Sequence, residues 1–459
     1  MHPLEPDRTE MERIAGLVTD RAIGFVDSLD ERPASHDQVD EDLLRQVAAP
    51  PSEQPGSLEM LLDRLDEAAG CALETAGGGY FGYIPGGGVF SSAVAELYAR
   101  AVNRFGGMAA FAPPLVALEQ GVIRWLAAAC GLPAASGGLL TTGGSMANLS
   151  AVVAARHAGL GEDLIGGRLY VTAQAHHSVT KAARIAGLPA AAVRVVPSTA
   201  QLRMDVEAAA AMIAADRTAG HRPFLLVGSA GTTDTGTIDP LPGLADLAAR
   251  EGLWLHVDGA YGGLFTLTDR GRTRLRGIER ADSITLDPHK SLFLPYGTGA
   301  LLVRDPNRLA AAHQGGAHYL QDLAPDRDVA DFAGLGVELS REVRGLRVWL
   351  PLQLHGVAAF RAALDEKLDL ARTAYEALAA EPALEVLAEP ELTVVGFRLR
   401  DGDDTANRRL LERINASRRV FLSSTSVHGR VVLRLCVLSH RSHAEHVDEA
   451  VRIVRDALV

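Results

Sequence analysis

Cysteine is almost absent from this sequence. Cys71, Cys130 and Cys436 are odd in number, lie far apart and form no CxxC pair. That spacing supports neither a disulfide framework nor a thiolate metal site, so no metal is expected and the three should pack in apolar surroundings. Lysine is equally scarce: of 45 basic residues only Lys181, Lys290 and Lys367 are lysines. A lysine inside an apolar segment therefore stands out. Long hydrophobic runs are missing too, and none approaches the roughly 18 residues of a membrane-spanning helix. Positive charge is in deficit, with a formal net charge of −12, which argues against nucleic acid or an anionic membrane as the main partner. The opening segment MHPLEPDRTEMERI is acidic and polar, unlike a signal peptide, and a cytoplasmic protein is expected.

What is present is the balance of a soluble globular chain, 47% hydrophobic and 22% charged. At 459 residues it exceeds one ordinary domain, so a large domain with a smaller companion is expected. Residues 11–29 carry an amphipathic helical pattern, and Ser57 is placed to cap a helix with Leu58, Leu61, Leu62 and Leu65 at helical spacing. Neither can enclose a core alone. Residues 1–70 therefore read as a helical arm that packs on something else, a second subunit being one candidate. From about 115 to 305, helical stretches (116–130, 146–157, 178–187, 205–219, 241–251) alternate with aliphatic and β-branched runs at 168–173, 193–197, 223–229, 253–258, 283–287 and 299–304. Several runs are apolar on both faces, as parallel strands covered by helices are. The alternation predicts an α/β sheet with functional groups at the carboxyl ends of its strands. Beyond it, a helical stretch over 346–380, strands at 393–400 and 431–438, and helices near 405–418 and 443–458 predict a smaller α+β domain. The expected division is an arm over 1–70, a large α/β domain over 71–345 and a small domain over 346–459.

Five segments could carry chemistry. Thr141-Thr142-Gly143-Gly144-Ser145-Met146-Ala147-Asn148 opens a helix, where exposed N–H groups and the helix dipole suit a phosphate; the plainer reading is a cap made by Ser145. His256-Val257-Asp258-Gly259-Ala260 ends a strand with a carboxylate able to pair with a buried cation, or simply to cap the turn. Asp287-Pro288-His289-Lys290-Ser291-Leu292-Phe293 sets Lys290 amid apolar residues, where desolvation frees an amine to attack a carbonyl; the alternative is a snorkelling surface lysine. Ala175-His176-His177-Ser178 offers an imidazole that stacks on a planar group, or caps a helix. The hydroxyl-rich loop 231–239 binds anionic oxygens or is a turn. Taken together, a phosphate cup, a stacking histidine, a carboxylate and a lysine are the parts a pyridoxal phosphate site requires.

In this order and spacing, AHHSV, GTT, HVDGAYGG and DPHKSLF resemble the group II pyridoxal-phosphate-dependent amino-acid decarboxylases, a family that includes the aromatic-L-amino-acid, glutamate, histidine and tyrosine decarboxylases. The likeness runs from about Tyr80 to Leu458. It implies the aspartate-aminotransferase type I fold, with a mostly parallel seven-stranded sheet and a homodimer whose sites are shared between subunits. It implies that Lys290 holds the cofactor as a Schiff base, that Asp258 pairs with the pyridinium nitrogen, and that His176 and Ala260 touch the two ring faces. Gly144 and Ser145 match the phosphate cup, Asp287 and His289 lie beside the lysine, and Thr233 matches a threonine near the substrate carboxylate. Tyr319 falls where the family has a mobile loop whose tyrosine protonates the carbanion of the quinonoid after CO2 leaves.

The chain also departs from the family. Ser291 follows the lysine where a bulky residue is common, and Asp287 stands where asparagine is common. The segment 77–88 resembles the substrate-pocket segment with extra glycines and without its His-Pro opening; Tyr80, Phe81 and Phe105 are its candidate lining. The expected reaction is decarboxylation of an L-amino acid to its amine. Oxidative decarboxylation–deamination to an aldehyde, β-elimination from a cysteine conjugate, and a non-catalytic cofactor-binding scaffold stand as alternatives.

Overall fold

A computed structural model describes residues 4–36, 40–313 and 331–458. Its larger sheet has seven strands, β1 (Gly137–Thr141), β2 (Gly167–Thr172), β3 (Val193–Val196), β4 (Arg222–Ser229), β5 (Trp254–Gly259), β6 (Ser283–Leu286) and β7 (Gly299–Val303). They are ordered β1-β7-β6-β5-β4-β2-β3. Strands β2 to β6 pair in parallel, whereas β7 runs antiparallel to both β1 and β6. The link from β6 to β7 is spent on the short helix Pro288–Ser291, so the chain returns alongside β6 rather than crossing over. Every residue of β5, β6 and β7 is buried, as expected where helices cover both faces.

Strand β1 escaped the sequence pattern because it begins with two glycines, weak strand formers. Gly138 is needed there: a Cβ would lie 1.9 Å from the Leu301 carbonyl oxygen. The predicted helix over 346–380 is in fact two, Gly345–His355 and Val357–Ala379, separated by Gly356 at φ 75°. The first packs on the large domain, against the helices Phe90–Val102 and Pro113–Ala129. The second crosses between cores: Phe360, Leu364 and Leu368 join the large core, and Leu370, Ala371, Ala374 and Leu378 the small one. The smaller sheet, antiparallel and ordered β10-β11-β9-β8, comprises β8 (Leu384–Val386), β9 (Val394–Leu399), β10 (Ser423–Val427) and β11 (Arg430–Cys436).

Cys130 and Cys436 are buried as expected, with their thiols pushed up to about 12 by desolvation. Cys71 is only half-buried, at the C-terminal end of an arm helix. The arm helices Arg8–Asp27 and Leu58–Gly70 bury no residue, although Ser57 does cap the second. Arg13–Glu59 at 2.8 Å and Arg21–Asp63 at 2.6 Å tie them together. Their apolar side chains, among them Met11, Val18, Ile23, Met60, Leu61 and Leu65, face outward.

Candidate active site

A cavity of about 290 Å³ opens at the carboxyl ends of β1, β4, β5 and β6. Parallel pairing builds it. Ser229 lies beside Asp258, and Asp258 beside Thr285, so the carboxylate closing β5 faces the loop that follows β6. Pro288 then starts a helix at once, its fixed φ suiting the first helical position, and that turn carries Lys290 to the cavity wall. The lysine does not end in an apolar niche. Its Nζ meets Asp287 Oδ2 at 2.8 Å, while Asp287 Oδ1 is buried without a hydrogen-bond partner among the described residues. His289 donates from Nδ1 to the Thr298 carbonyl at 2.7 Å, leaving Nε2 3.7 Å from Asp287.

Opposite, the helix Gly144–Leu160 begins without a side-chain cap; Gly143 occupies the cap position. The plainer reading of Ser145 as a cap therefore fails, and its hydroxyl lines the cavity with Gly143 and Gly144. A Cβ on Gly144 would lie 2.9 Å from Asp287 Oδ2 and 3.1 Å from the Ala260 methyl, so a bare backbone is needed to keep this end open. His176 caps the helix His177–Ile185, its Nδ1 accepting from the Ser178 N–H, and also lines the cavity. The capping reading holds, and the same residue stands at the cavity wall. Burial lowers its pKa, so the ring is neutral at physiological pH. Asp258 likewise does two things: Oδ1 accepts from the Ala260 N–H at 3.1 Å, shaping the turn, and the group lines the cavity.

In the loop after β4, Thr232, Thr235 and Thr237 bond one another at 2.8–3.0 Å, and Thr233 lines the cavity. The loop is held by a residue the sequence did not single out. Arg434 on β11, 3% exposed, donates to the carbonyls of Thr233, Asp234 and Tyr83 and to the Ser423 hydroxyl. Asn148 was also missed as a site residue, although it stands four positions after Gly144 on the same helix face; its Nδ2 donates to Asp258 Oδ2 at 2.9 Å.

The expected substrate-pocket residues are placed elsewhere. Tyr80 stacks on Phe421, rings parallel with centroids 5.5 Å apart. Phe81 is fully buried in the small core, because its backbone bonds to Phe421 and Cys436 draw it into that domain. Phe105 packs on Phe111, centroids 4.9 Å apart, and bridges Glu342. None of the three lines the cavity within the chain. Tyr319 lies outside the described residues. No cluster able to hold a metal occurs among the described residues.

Known proteins resemble the chain over most of its length. The pyridoxal-dependent decarboxylase conserved domain matches residues 41–400. An aromatic-L-amino-acid decarboxylase of Bacillus atrophaeus is 33% identical over 454 residues, covering 97% of this chain and 94% of the relative. Tryptophan decarboxylase 1 of Oryza sativa subsp. japonica is 31% identical, covering 82% of this chain and 79% of its own. Among solved structures, Oryza sativa TDC with PLP and tryptamine superposes with a TM-score of 0.94 at 27% identity, over 100% of this chain and 99% of that one. The chain belongs to the pyridoxal-dependent decarboxylase family and is an enzyme that decarboxylates an amino acid with pyridoxal phosphate as cofactor.

Proposed function

We propose that the substrate is an aromatic L-amino acid, converted to its amine, and that Lys290, Asp258 and His176 are the groups that work on the cofactor. The observation that carries the assignment is their convergence, with the open Gly143–Ser145 turn, on one cavity. The residues fit the group. Pyridoxal phosphate presents a phosphate, a ring nitrogen and an aldehyde. The uncapped helix start and Ser145 suit the first, Asp258 the second and Lys290 the third, with His176 and Ala260 for the ring faces. When bound, the cofactor supplies a sink for the electron pair left on Cα as CO2 departs.

The chain's own groups do the rest. Asp287 holds a proton at Lys290 Nζ and can pass it as the amine is engaged or released. Asp258 is an acceptor that keeps a proton at the ring nitrogen. Neutral His176 fills one face without adding charge that would oppose that proton. Thr233 is the candidate contact for the substrate carboxylate, in a loop that Arg434 holds rigid. Tyr319 is assigned the return of a proton to Cα.

Aromatic preference is supported by the relatives named above and by an aromatic surface near the site. Tyr296 lies 5.8 Å from the His289 ring, and Tyr83 lies 6.4 Å from Phe421; both tyrosines are largely exposed. A homodimer and a cytoplasmic location belong to the same proposal. The uncovered arm supports the first and the free cysteines the second. The test is mass spectrometry of products from the aerated holoenzyme in deuterated water, with aromatic, acidic and S-substituted cysteine amino acids. An aromatic amine with one deuterium at Cα is expected. An aldehyde, or turnover confined to acidic substrates, overturns the reading.

A further inference from the structure

Below the cavity a single amide meets four side chains. Asn148 is 1% exposed. Its Nδ2 lies 2.9 Å from Asp258 Oδ2 and 2.8 Å from Ser178 Oγ; its Oδ1 lies 2.7 Å from Thr285 Oγ1 and 3.0 Å from His256 Nε2. Two N–H donors and two lone pairs are all an amide has, so every one is used.

The direction of each bond follows from its neighbours. The Asp258 carboxylate only accepts, so the NH2 side of Asn148 faces it and the oxygen faces His256 and Thr285. That oxygen only accepts, so His256 carries its hydrogen on Nε2. Burial lowers the His256 pKa to about 4 and the ring is neutral, which leaves Nδ1 to accept from the Ser283 hydroxyl at 2.8 Å. Ser283 accepts in turn from the Trp254 indole N–H at 2.8 Å, a group that can only donate. With a pure donor at one end and a pure acceptor at the other, the chain has one polarity. A branch reaches the second cavity residue. Ser178 Oγ accepts from Asn148 and donates its own proton to His176 Nδ1 at 2.7 Å, so the proton of that neutral ring sits on Nε2.

We propose that Asn148 is a positioning residue that relays hydrogen-bond polarity from Trp254, fixing at once the plane of the Asp258 carboxylate and the Nε2–H tautomer of His176. The proposal rests on the reading that Asp258 and His176 face the cofactor. Donors from Asn148 and Ala260 occupy one site on each oxygen of Asp258, which leaves the carboxylate one orientation. The same amide makes the pairing of Ser178 with His176 one-way.

The experiment uses ¹⁵N-histidine-labelled holoenzyme, with the His176 signal identified by its loss in His176→Gln. The wild type should show the Nε2–H tautomer, and Ser178→Ala, left with only the longer 3.4 Å backbone N–H on Nδ1, a mixture of tautomers with lower kcat at little-changed KM. Asn148→Asp sets a carboxylate against Asp258; its pyridoxal phosphate affinity, titrated by absorbance on the apoenzyme, should fall by about tenfold or more, the scale of a lost hydrogen bond to a charged group, and the pH dependence of its visible spectrum should move. A wild-type Nδ1–H tautomer, or Asn148→Asp binding within twofold of wild type, overturns the proposal. Should Asn148→Asp fail to fold, the wild-type and Ser178→Ala tautomers decide. Asp258→Asn separates the two levels. If it leaves affinity and spectrum intact, the cofactor-facing role of Asp258 falls. If it impairs both while Asn148→Asp does not, only the relay falls.

Discussion

Lys290 and Asp287 are three positions apart, yet each depends on the other. The carboxylate is 2% exposed, with one oxygen on the lysine at 2.8 Å and the other unpaired among the described residues, so replacing the lysine removes the reactive amine and the nearest ion partner of a buried charge, leaving His289 at 3.7 Å. Lys290→Ala should lower turnover by at least about a thousandfold, as loss of a reacting nucleophile does, with product amine as the measurement; activity near wild type would sink the assignment. Elsewhere two histidines set the acid limit of the fold. His256 and His440 are held neutral by burial, with pKa values lowered to about 4 and about 3, and at His440 nearby Arg441 and Lys367 oppose protonation further. In the unfolded chain both take a proton near 6.5. Below that pH the unfolded state binds protons that the native state refuses, so the stability these residues allow is intact above pH 6.5 and is lost as pH falls toward 4, by about 1.4 kcal/mol per unit for each. Urea midpoints at pH 7.5 and 5 should diverge clearly in the wild type and less in His440→Gln. Lys290, Asp258 and His176 were legible as candidates because DPHK, HVD and AHHS each stand at or just after a strand end. Their partners were not, since nothing local in the sequence says that Asn148 touches Asp258, 110 positions away.

At the scale of elements, the site depends on how helices begin and break. Gly144 opens its helix against Asp287 and Ala260 with no room for a methyl group. Gly144→Ala should therefore weaken pyridoxal phosphate binding by about tenfold, while overpacking costs about 1–3 kcal/mol of stability; absorbance titration and urea unfolding measure the two separately. Gly356 is the contrary case. Its φ of 75° divides two helices, and nothing lies within 4 Å of an added Cβ. Gly356→Ala should cost about 1 kcal/mol from backbone strain alone and leave cofactor affinity unchanged. The helical period across 346–380 concealed that break, because both halves keep their apolar spacing. The strand near 299–304 was visible from its composition, but its antiparallel direction was not, since burial on both faces looks the same in either direction.

For the whole molecule, the unresolved balance is the arm. Two helices without a buried residue, tied to each other by arginine–carboxylate pairs, expose an apolar face that the other described residues do not cover. Sedimentation velocity should give a particle of twice 48.6 kDa, and the double change Val18→Glu with Leu61→Glu should yield monomers of low activity; a fully active monomeric wild type would refute the shared-site arrangement. Two hydrophobic cores joined through one helix, Val357–Ala379, complete the architecture. The sequence by itself determined the α/β alternation and brought forward Lys290, Asp258, His176 and the Gly143–Ser145 turn, which the structure gathers at one cavity, because periodicity and strand-end motifs are local properties of the chain. Only the tertiary structure decided that Lys290 is paired with Asp287, that Arg434 and Asn148 brace the loop and the carboxylate, and that Tyr80, Phe81 and Phe105 lie away from the cavity. Those outcomes depend on contacts between distant segments, which form only when strand order and domain packing bring them together.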